Sequence, residues 1–200
     1  MIKTVFTDVG GVLLTNGWDT EGRVEAAKKF GLDLKEVDSR HRMTFETYEV
    51  GKITLDEYLQ RTVFYQPRDF SLAQFKNFMY SRSQPFPDML DLMRKIKASG
   101  RNVVVVSNEG RELTEYRIKT FKMTEFADFF VASSFVHFRK PDRDIFQMAI
   151  DLAQANPAEA VYLDDRAMFV EVAASLGLNA IQHTKFETTK TALEELGVTV

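Results

Sequence analysis

Short, uninterrupted apolar runs alternate along this chain with stretches whose apolar residues recur every three or four positions. The runs are rich in β-formers: Val5-Phe6 leading to Asp8, "NVVVVSN" ending at Ser107-Asn108, "FFVASS" from Phe129 to Ser134, "AVYLDD" from Ala160 to Asp165, and a brief "NAI" from Asn179 to Ile181. Strands that are apolar at every position are buried on both faces, which is the pattern of a parallel sheet. Helical periodicity fills the gaps. "FPDMLDLMRKIKASG" carries Pro87 early, apolar Leu90, Met93 and Ile96 on one face, and Gly100 as a stop. "KPDRDIFQMAIDLAQA" and "MFVEVAASLG" repeat the arrangement before the last two strands. Strand–helix alternation of this kind predicts an α/β fold, a doubly wound parallel sheet with right-handed crossovers.

Residues 16–84 break the rhythm. They offer four helical patterns and no strand. Thr54 with Glu57, and Ser71 with Gln74, have the spacing of a capping box, and "AAKKFGL" ends a first helix near Gly31. The division expected is a core domain of residues 1–15 and 85–200, with a helical domain of 16–84 inserted after the first strand. Phe75, Phe78 and Met79 have helical spacing and are expected in the core of that insertion.

Composition narrows the function classes. A chain of 200 residues with 44% hydrophobic and 28% charged residues is globular rather than disordered. The net charge of −3 gives no footprint for nucleic acid. With no Cys, disulfides, thiolate metal sites and cysteine nucleophiles are excluded. No stretch approaches the ~18 apolar residues of a membrane span, and "MIKTVFTD" lacks a signal peptide's apolar region. A cytoplasmic, unanchored protein is expected.

The candidate chemistry lies at the strand ends. Ligands of an open α/β sheet bind outside the carboxyl ends of its strands. Asp8, Ser107-Asn108 and Asp164-Asp165 all fall at such ends, and Lys140 follows the third strand closely. Two or three carboxylates make an oxygen-rich site suited to Mg²⁺. A lysine and a hydroxyl beside it suit the oxygens of a phosphoryl group. Asp8 is then read as a nucleophile that forms an aspartyl-phosphate, and Gly10-Gly11 as a turn that brings backbone close to ligand and metal.

The ordered segments "DVGGVLL", "VVVVSNEG", "RKPD" and "VYLDD" resemble the four motifs of the haloacid dehalogenase-like (HAD) hydrolases. "TFETYEVGKITLDEYL" resembles the helical cap of a subgroup containing sugar-phosphate phosphatases and the phosphatase domain of epoxide hydrolases. The resemblance implies a Rossmann-like core with an inserted α-helical cap, and hydrolysis of a small phosphorylated metabolite, such as a sugar phosphate, with Mg²⁺. It implies Asp8 as nucleophile and metal ligand, Gly10 as a ligand through its carbonyl, and Asp165 as a direct ligand, with Asp164 acting through water. Ser107 and the backbone at Asn108 would hold phosphate, and Lys140 would pair with phosphate and nucleophile.

Two positions depart from that pattern. Gly10 stands where most family phosphatases carry the aspartate that protonates the leaving group. Phe169 stands where the family often has Asn, and is read as packing.

Blander readings accompany these. A lone Asp after a strand is commonly a cap, Ser107-Asn108 could cap the following helix, and a lone lysine is commonly solvated; order and spacing favour the site. Trp18 is read as core or as a flap over substrate. His41 and Arg42 could recognise a polar substrate but are expected on a solvated helix face, and His137 is a conceivable substitute acid. Competing functions are a 2-haloacid dehalogenase, for which the acid pair would have no use, a non-catalytic module binding a phosphorylated ligand or a protein, and a receiver domain, whose motif order is reversed.

Overall fold

The computed structural model describes residues 1–200. Five parallel strands form one sheet in the order β3-β2-β1-β4-β5: β1 is Thr4–Thr7, β2 Asn102–Ser107, β3 Phe129–Ala132, β4 Ala160–Asp164 and β5 Asn179–Gln182. β1 lies at the centre, with Phe6 opposite Val104 on one side and Tyr162 on the other. The apolar runs are continuous because both faces are covered. Val5, Val103, Val105, Val161 and Leu163 enter one apolar layer, which α5 (Pro87–Ala98) closes with Met89, Met93 and Ile96. Phe6, Val104, Val106 and Tyr162 enter the other, closed by Ile145 and Phe146 of α8 (Arg143–Leu152) and by Phe169 and Ala173 of α9 (Ala167–Ser175). The remaining core helices are α6 (Arg111–Thr120), the short α7 (Ser133–Val136) and α10 (Phe186–Glu195). No helix is long and apolar enough to cross a membrane.

Between β1 and α5 come four helices: α1 (Thr20–Phe30), α2 (Leu34–Glu49), α3 (Leu55–Thr62) and α4 (Leu72–Ser81). Both capping boxes form, at Thr54 with Glu57 and at Ser71 with Gln74. Gly31 ends α1 in the left-handed region at φ 60°, where a glycine carries no Cβ penalty. These helices build a second apolar cluster around Trp18, Tyr58, Phe75, Phe78 and Met79, which Leu113 of α6 also enters. They leave and rejoin the core through a two-stranded neck, in which Thr15 N donates to Gln84 O at 2.9 Å and Phe86 N to Leu13 O at 2.9 Å.

The run "FFVASS" is shorter as a strand than its sequence predicts. β3 stops at Ala132, and Ser133–Val136 turn into α7, where His137 N donates to Ser133 O at 2.8 Å. The Ser133 hydroxyl donates to Glu49 O at 2.7 Å and accepts from Glu109 N at 3.0 Å. That serine is a cross-link between helices and sheet edge rather than a strand residue.

Candidate active site

The ends of β1, β2 and β4, with the loop that follows β3, deliver polar groups to the same rim. Asp8 follows β1, and its N–H extends the ladder to β4 by donating to Leu163 O at 2.8 Å. Gly11 lies at φ 74°, and a Cβ there would stand 2.4 Å from Asp165 Oδ2. The second glycine therefore has both a conformational and a steric cause: it admits the carboxylate at the end of β4. Ser107 closes β2 and is buried. The Asn108 side chain clamps the backbone of Lys140 at two points, donating to its carbonyl and accepting from its N–H, both at 2.8 Å.

Lys140 is fully buried, and its Nζ donates to Asp164 Oδ2 at 2.7 Å, to Val106 O at 3.1 Å and to Tyr162 OH at 3.1 Å. It also lies 3.1 Å from Asp8 Oδ1, an ion pair off the line of a hydrogen bond. Asp164 has partners on both oxygens: Oδ2 accepts from Lys140 and from the Tyr162 hydroxyl, and Oδ1 from Arg166 N at 2.9 Å. Asp8 Oδ1 and Asp165 Oδ1, by contrast, are buried without a hydrogen-bond partner.

Three carboxylates around one ammonium leave excess negative charge, and burial adds to its effect on Asp8 and Asp165. Burial pushes the Asp8 carboxyl up to about 6 against the opposing pull of Lys140, and Asp164 adds to the rise. Burial, then Asp164, also raises Asp165. Burial alone would lower Lys140, yet Asp8 and Asp164 together hold it above the ordinary lysine value. Ligand oxygens of Asp8, Asp164 and Asp165 lie within 4.8 Å of one another. An all-oxygen donor set in which Asp165 Oδ1 is buried with no partner and Asp8 Oδ1 faces only Lys140 fits a hard divalent cation.

Above the rim, a cavity of about 90 Å³ opens between the strand ends and the four helices. Its floor includes Asp8, Gly10, Ser107, Asn108 and Lys140, and Trp18, Phe45 and Glu49 face them from the helical side. Three arginines reach it. Arg117 pairs with Glu109 at 2.9 Å and Arg139 with Glu49 at 2.7 Å, whereas Arg166 has no carboxylate partner and lies over the Phe169 ring at 5.6 Å. Burial raises Glu109 to about 7 despite Arg117, with Glu49 and Asp8 adding to the shift. Burial also raises Glu49, with Arg139 opposing.

Phe169 is packing, and its ring also lies 5.1 Å from Lys140 Nζ. Trp18 is a core residue, edge-on to Phe75 at 5.7 Å, that also borders the cavity. His41 departs from the solvated face predicted for it: it is buried, 2.8 Å from the Tyr58 hydroxyl and 4.5 Å from the Phe45 ring, because α2 turns this face toward α3. Arg42 beside it is exposed. His137 lies outside the cavity lining, with Nδ1 2.8 Å from Val50 O. Tyr162, Glu109, Arg117, Glu49 and Arg139 were not singled out in the sequence. The one available signal was charge next to the Ser107-Asn108 turn and next to Lys140.

Comparison with known proteins agrees with this architecture. The sequence profile of haloacid dehalogenase-like hydrolases matches residues 2–177. Acyl-CoA dehydrogenase family member 10 of Mus musculus is 27% identical over 210 residues, covering 97% of this chain but 19% of that protein, so the chain spans under a fifth of this relative. Flavin mononucleotide hydrolase 1 of Arabidopsis thaliana is 24% identical, covering 86% of this chain and 69% of that one. A HAD family enzyme from Bacteroides thetaiotaomicron, solved in complex with magnesium and inorganic phosphate, superposes with a TM-score of 0.79 at 25% identity, over 92% of this chain and 95% of that one. A sheet with this strand order, an acid at the end of its central strand and a profile match over most of its length lead to one assignment: the chain belongs to the haloacid dehalogenase-like hydrolases.

Proposed function

We propose that this hydrolase is a Mg²⁺-dependent phosphatase that cleaves small phosphomonoesters through an aspartyl-phosphate on Asp8. The observation that carries the reading is the placement of Lys140, whose ammonium lies 3.1 Å from Asp8 Oδ1 and 2.7 Å from Asp164 Oδ2. A buried lysine here screens the repulsion between an anionic nucleophile and an anionic substrate, then neutralises charge on the transferring oxygens. Asp8, Asp165 and the Gly10 carbonyl would hold Mg²⁺, with Asp164 acting through water; the ion would act as a Lewis acid on the phosphoryl oxygens. Ser107 and the backbone N–H of Asn108 would hold the phosphate. Asn108 would keep Lys140 in place through its two backbone bonds. Residues 16–84 act as a cap on a core of 1–15 and 85–200, and exclude water and bulky substrates from the nucleophile. The small, polar cavity supports a small phosphorylated metabolite, such as a sugar phosphate, and a cytoplasmic location belongs to the same reading. The hydrolase from Arabidopsis and the magnesium and phosphate held by the Bacteroides enzyme lend further support.

The test is a panel of phosphorylated metabolites incubated with Mg²⁺ or EDTA, beside Asp8→Asn. Release of inorganic phosphate should require the metal and vanish in the variant. Hydrolysis by Asp8→Asn at the wild-type rate would remove Asp8 as nucleophile.

A further inference from the structure

One guanidinium meets both chain segments that join the four helices to the sheet. Arg117, on α6, is 3% exposed, and its NH2 donates to Asn16 O at 3.0 Å and, at a longer 3.4 Å, to Thr15 O. Its Nε donates to Ser83 Oγ at 3.0 Å, and its NH1 pairs with Glu109 Oε2 at 2.9 Å. Residues 15–16 are the outgoing strand of the neck and Ser83 precedes its returning strand, so a single planar cation holds both. The neck is shaped around it: Gly17 lies at φ 75°, and a Cβ there would stand 2.3 Å from Arg117 NH2. Elsewhere α6 also bears on the insertion, where Glu112 accepts from Leu55 N at 2.9 Å and Tyr116 stacks on Tyr80 at 4.6 Å.

The other end of the pair is placed as tellingly. Glu109 is the second residue after Ser107, and its Oε1 accepts from Gly110 N at 2.9 Å. Its own N–H meets Ser133, whose hydroxyl reaches Glu49 O at the end of α2. The turn after β2 is thus tied to the helical insertion twice, through Arg117 at the neck and through Ser133 at the far side. A planar fork that satisfies several acceptors at once holds relative orientation in a way a point charge does not.

We propose that Arg117 is a positioning residue, a hinge pin that couples the turn at Ser107-Asn108 to both neck segments and so sets the angle at which the four helices close over Asp8. Its consequence for catalysis rests on the phosphatase reading above; the mechanical coupling does not.

Amide hydrogen exchange tests the pin directly, because Thr15 N and Gln84 N are both hydrogen-bonded within the neck. In ligand-free Arg117→Lys, exchange at Thr15 and Gln84 should rise roughly tenfold or more, the scale of a lost charge-assisted hydrogen bond, while β1, β2 and β4 keep wild-type protection. Ser83→Ala removes one of the pin's partners without burying a lone charge and should raise exchange at the same amides by less. With Mg²⁺ and beryllofluoride, the wild-type neck should slow along with Ser107-Asn108; in Arg117→Lys the turn should slow and the neck should not. Unchanged neck exchange in both variants overturns the proposal. So does a uniform rise that includes the sheet, which would make Arg117 a general stabiliser. A wild type that gains no protection at Ser107-Asn108 with these probes counts against the phosphatase reading instead, and the ligand-free comparison still decides the pin.

Discussion

The side-chain oxygen of Asn16 stands 2.8 Å from the point where a Cβ on Gly10 would lie. The place an acidic side chain would occupy is filled from the neck, by the far end of a movable side chain, and Gly10 itself lies outside the left-handed region. Gly10→Asp should therefore fold, with Asn16 swung aside. General acid–base groups contribute about 10²–10⁴-fold in rate, most where the leaving group is a poor one. The variant should accordingly favour alkyl phosphates over aryl phosphates by roughly tenfold or more in kcat/KM relative to wild type. An unchanged ratio would mean that another residue already supplies that proton.

Lys140 is the only cation touching Asp164, and it lies in full burial between two acids. Removing one partner of a buried pair costs about 3–5 kcal/mol, because the remaining charge stays desolvated. Lys140→Met should show a loss of this order in urea unfolding with EDTA present. The same carboxylates should then attract a divalent cation more strongly, with no ammonium to compete. Mg²⁺ should raise the melting temperature of the variant by more than that of wild type. Equal increments would show that the lysine and the cation site are electrostatically independent.

The parts of this arrangement legible in the sequence share one property: each ends a continuous apolar run. Asp8, Ser107 and the Asp164-Asp165 pair stand out because a polar residue after a buried strand has few places to go, and the helical insertion stands out because its periodicity changes. Tyr162 was hidden for the opposite reason. It sits within the apolar run of β4 and reads as a β-former, while its hydroxyl binds Asp164 and Lys140 in three dimensions. Arg117 and Glu109 are charged residues in a charged stretch, and only the crossing of the neck beneath α6 buries them. His41 was misread because helical spacing gives a face but not what packs on it. Ser133 was misread because a side chain that bridges three segments looks like any strand serine.

Glu109 should leave a signature in the pH dependence of stability. Burial raises its folded-state pKa from 4.5 to about 7, with Arg117 opposing and Glu49 and Asp8 reinforcing. The folded chain then holds this proton more tightly than the unfolded chain, so the contribution is full below about 4.5 and is lost as pH rises through 7. Glu109→Gln imitates the protonated form. With EDTA present, the variant should be close to wild type near the acid end of that window and gain on it as the solution becomes alkaline, read as urea midpoints across the range. A gap that stays constant would mean that Arg117 keeps this carboxylate ionised throughout.

The last prediction concerns the core of the insertion, where Trp18 Nε1 donates to Tyr58 OH at 2.8 Å and His41 Nδ1 lies 2.8 Å from the same hydroxyl. Since the indole can only donate, the arrangement that also gives the tyrosine proton an acceptor puts His41 Nδ1 in that role, with a neutral imidazole. Burial, then the nearby Arg23, lowers His41 to about 4. The folded chain binds this proton less readily than the unfolded one, so the stability it contributes is present above 6.5 and is lost as pH falls from 6.5 through 4. Trp18 is the sole tryptophan of the chain and reports the event without a label. Its emission should shift to the red over that acid range before the sheet unfolds by circular dichroism, since protonation buries a charge in this cluster and takes the acceptor away from the tyrosine proton. Tyr58→Phe removes the shared oxygen and leaves the buried indole N–H without a partner, at a cost of about 1–3 kcal/mol. In that variant the emission maximum at neutral pH should differ from that of wild type and the acid-range shift should shrink, and a maximum and pH profile identical to wild type would show that the hydroxyl does not hold this core together.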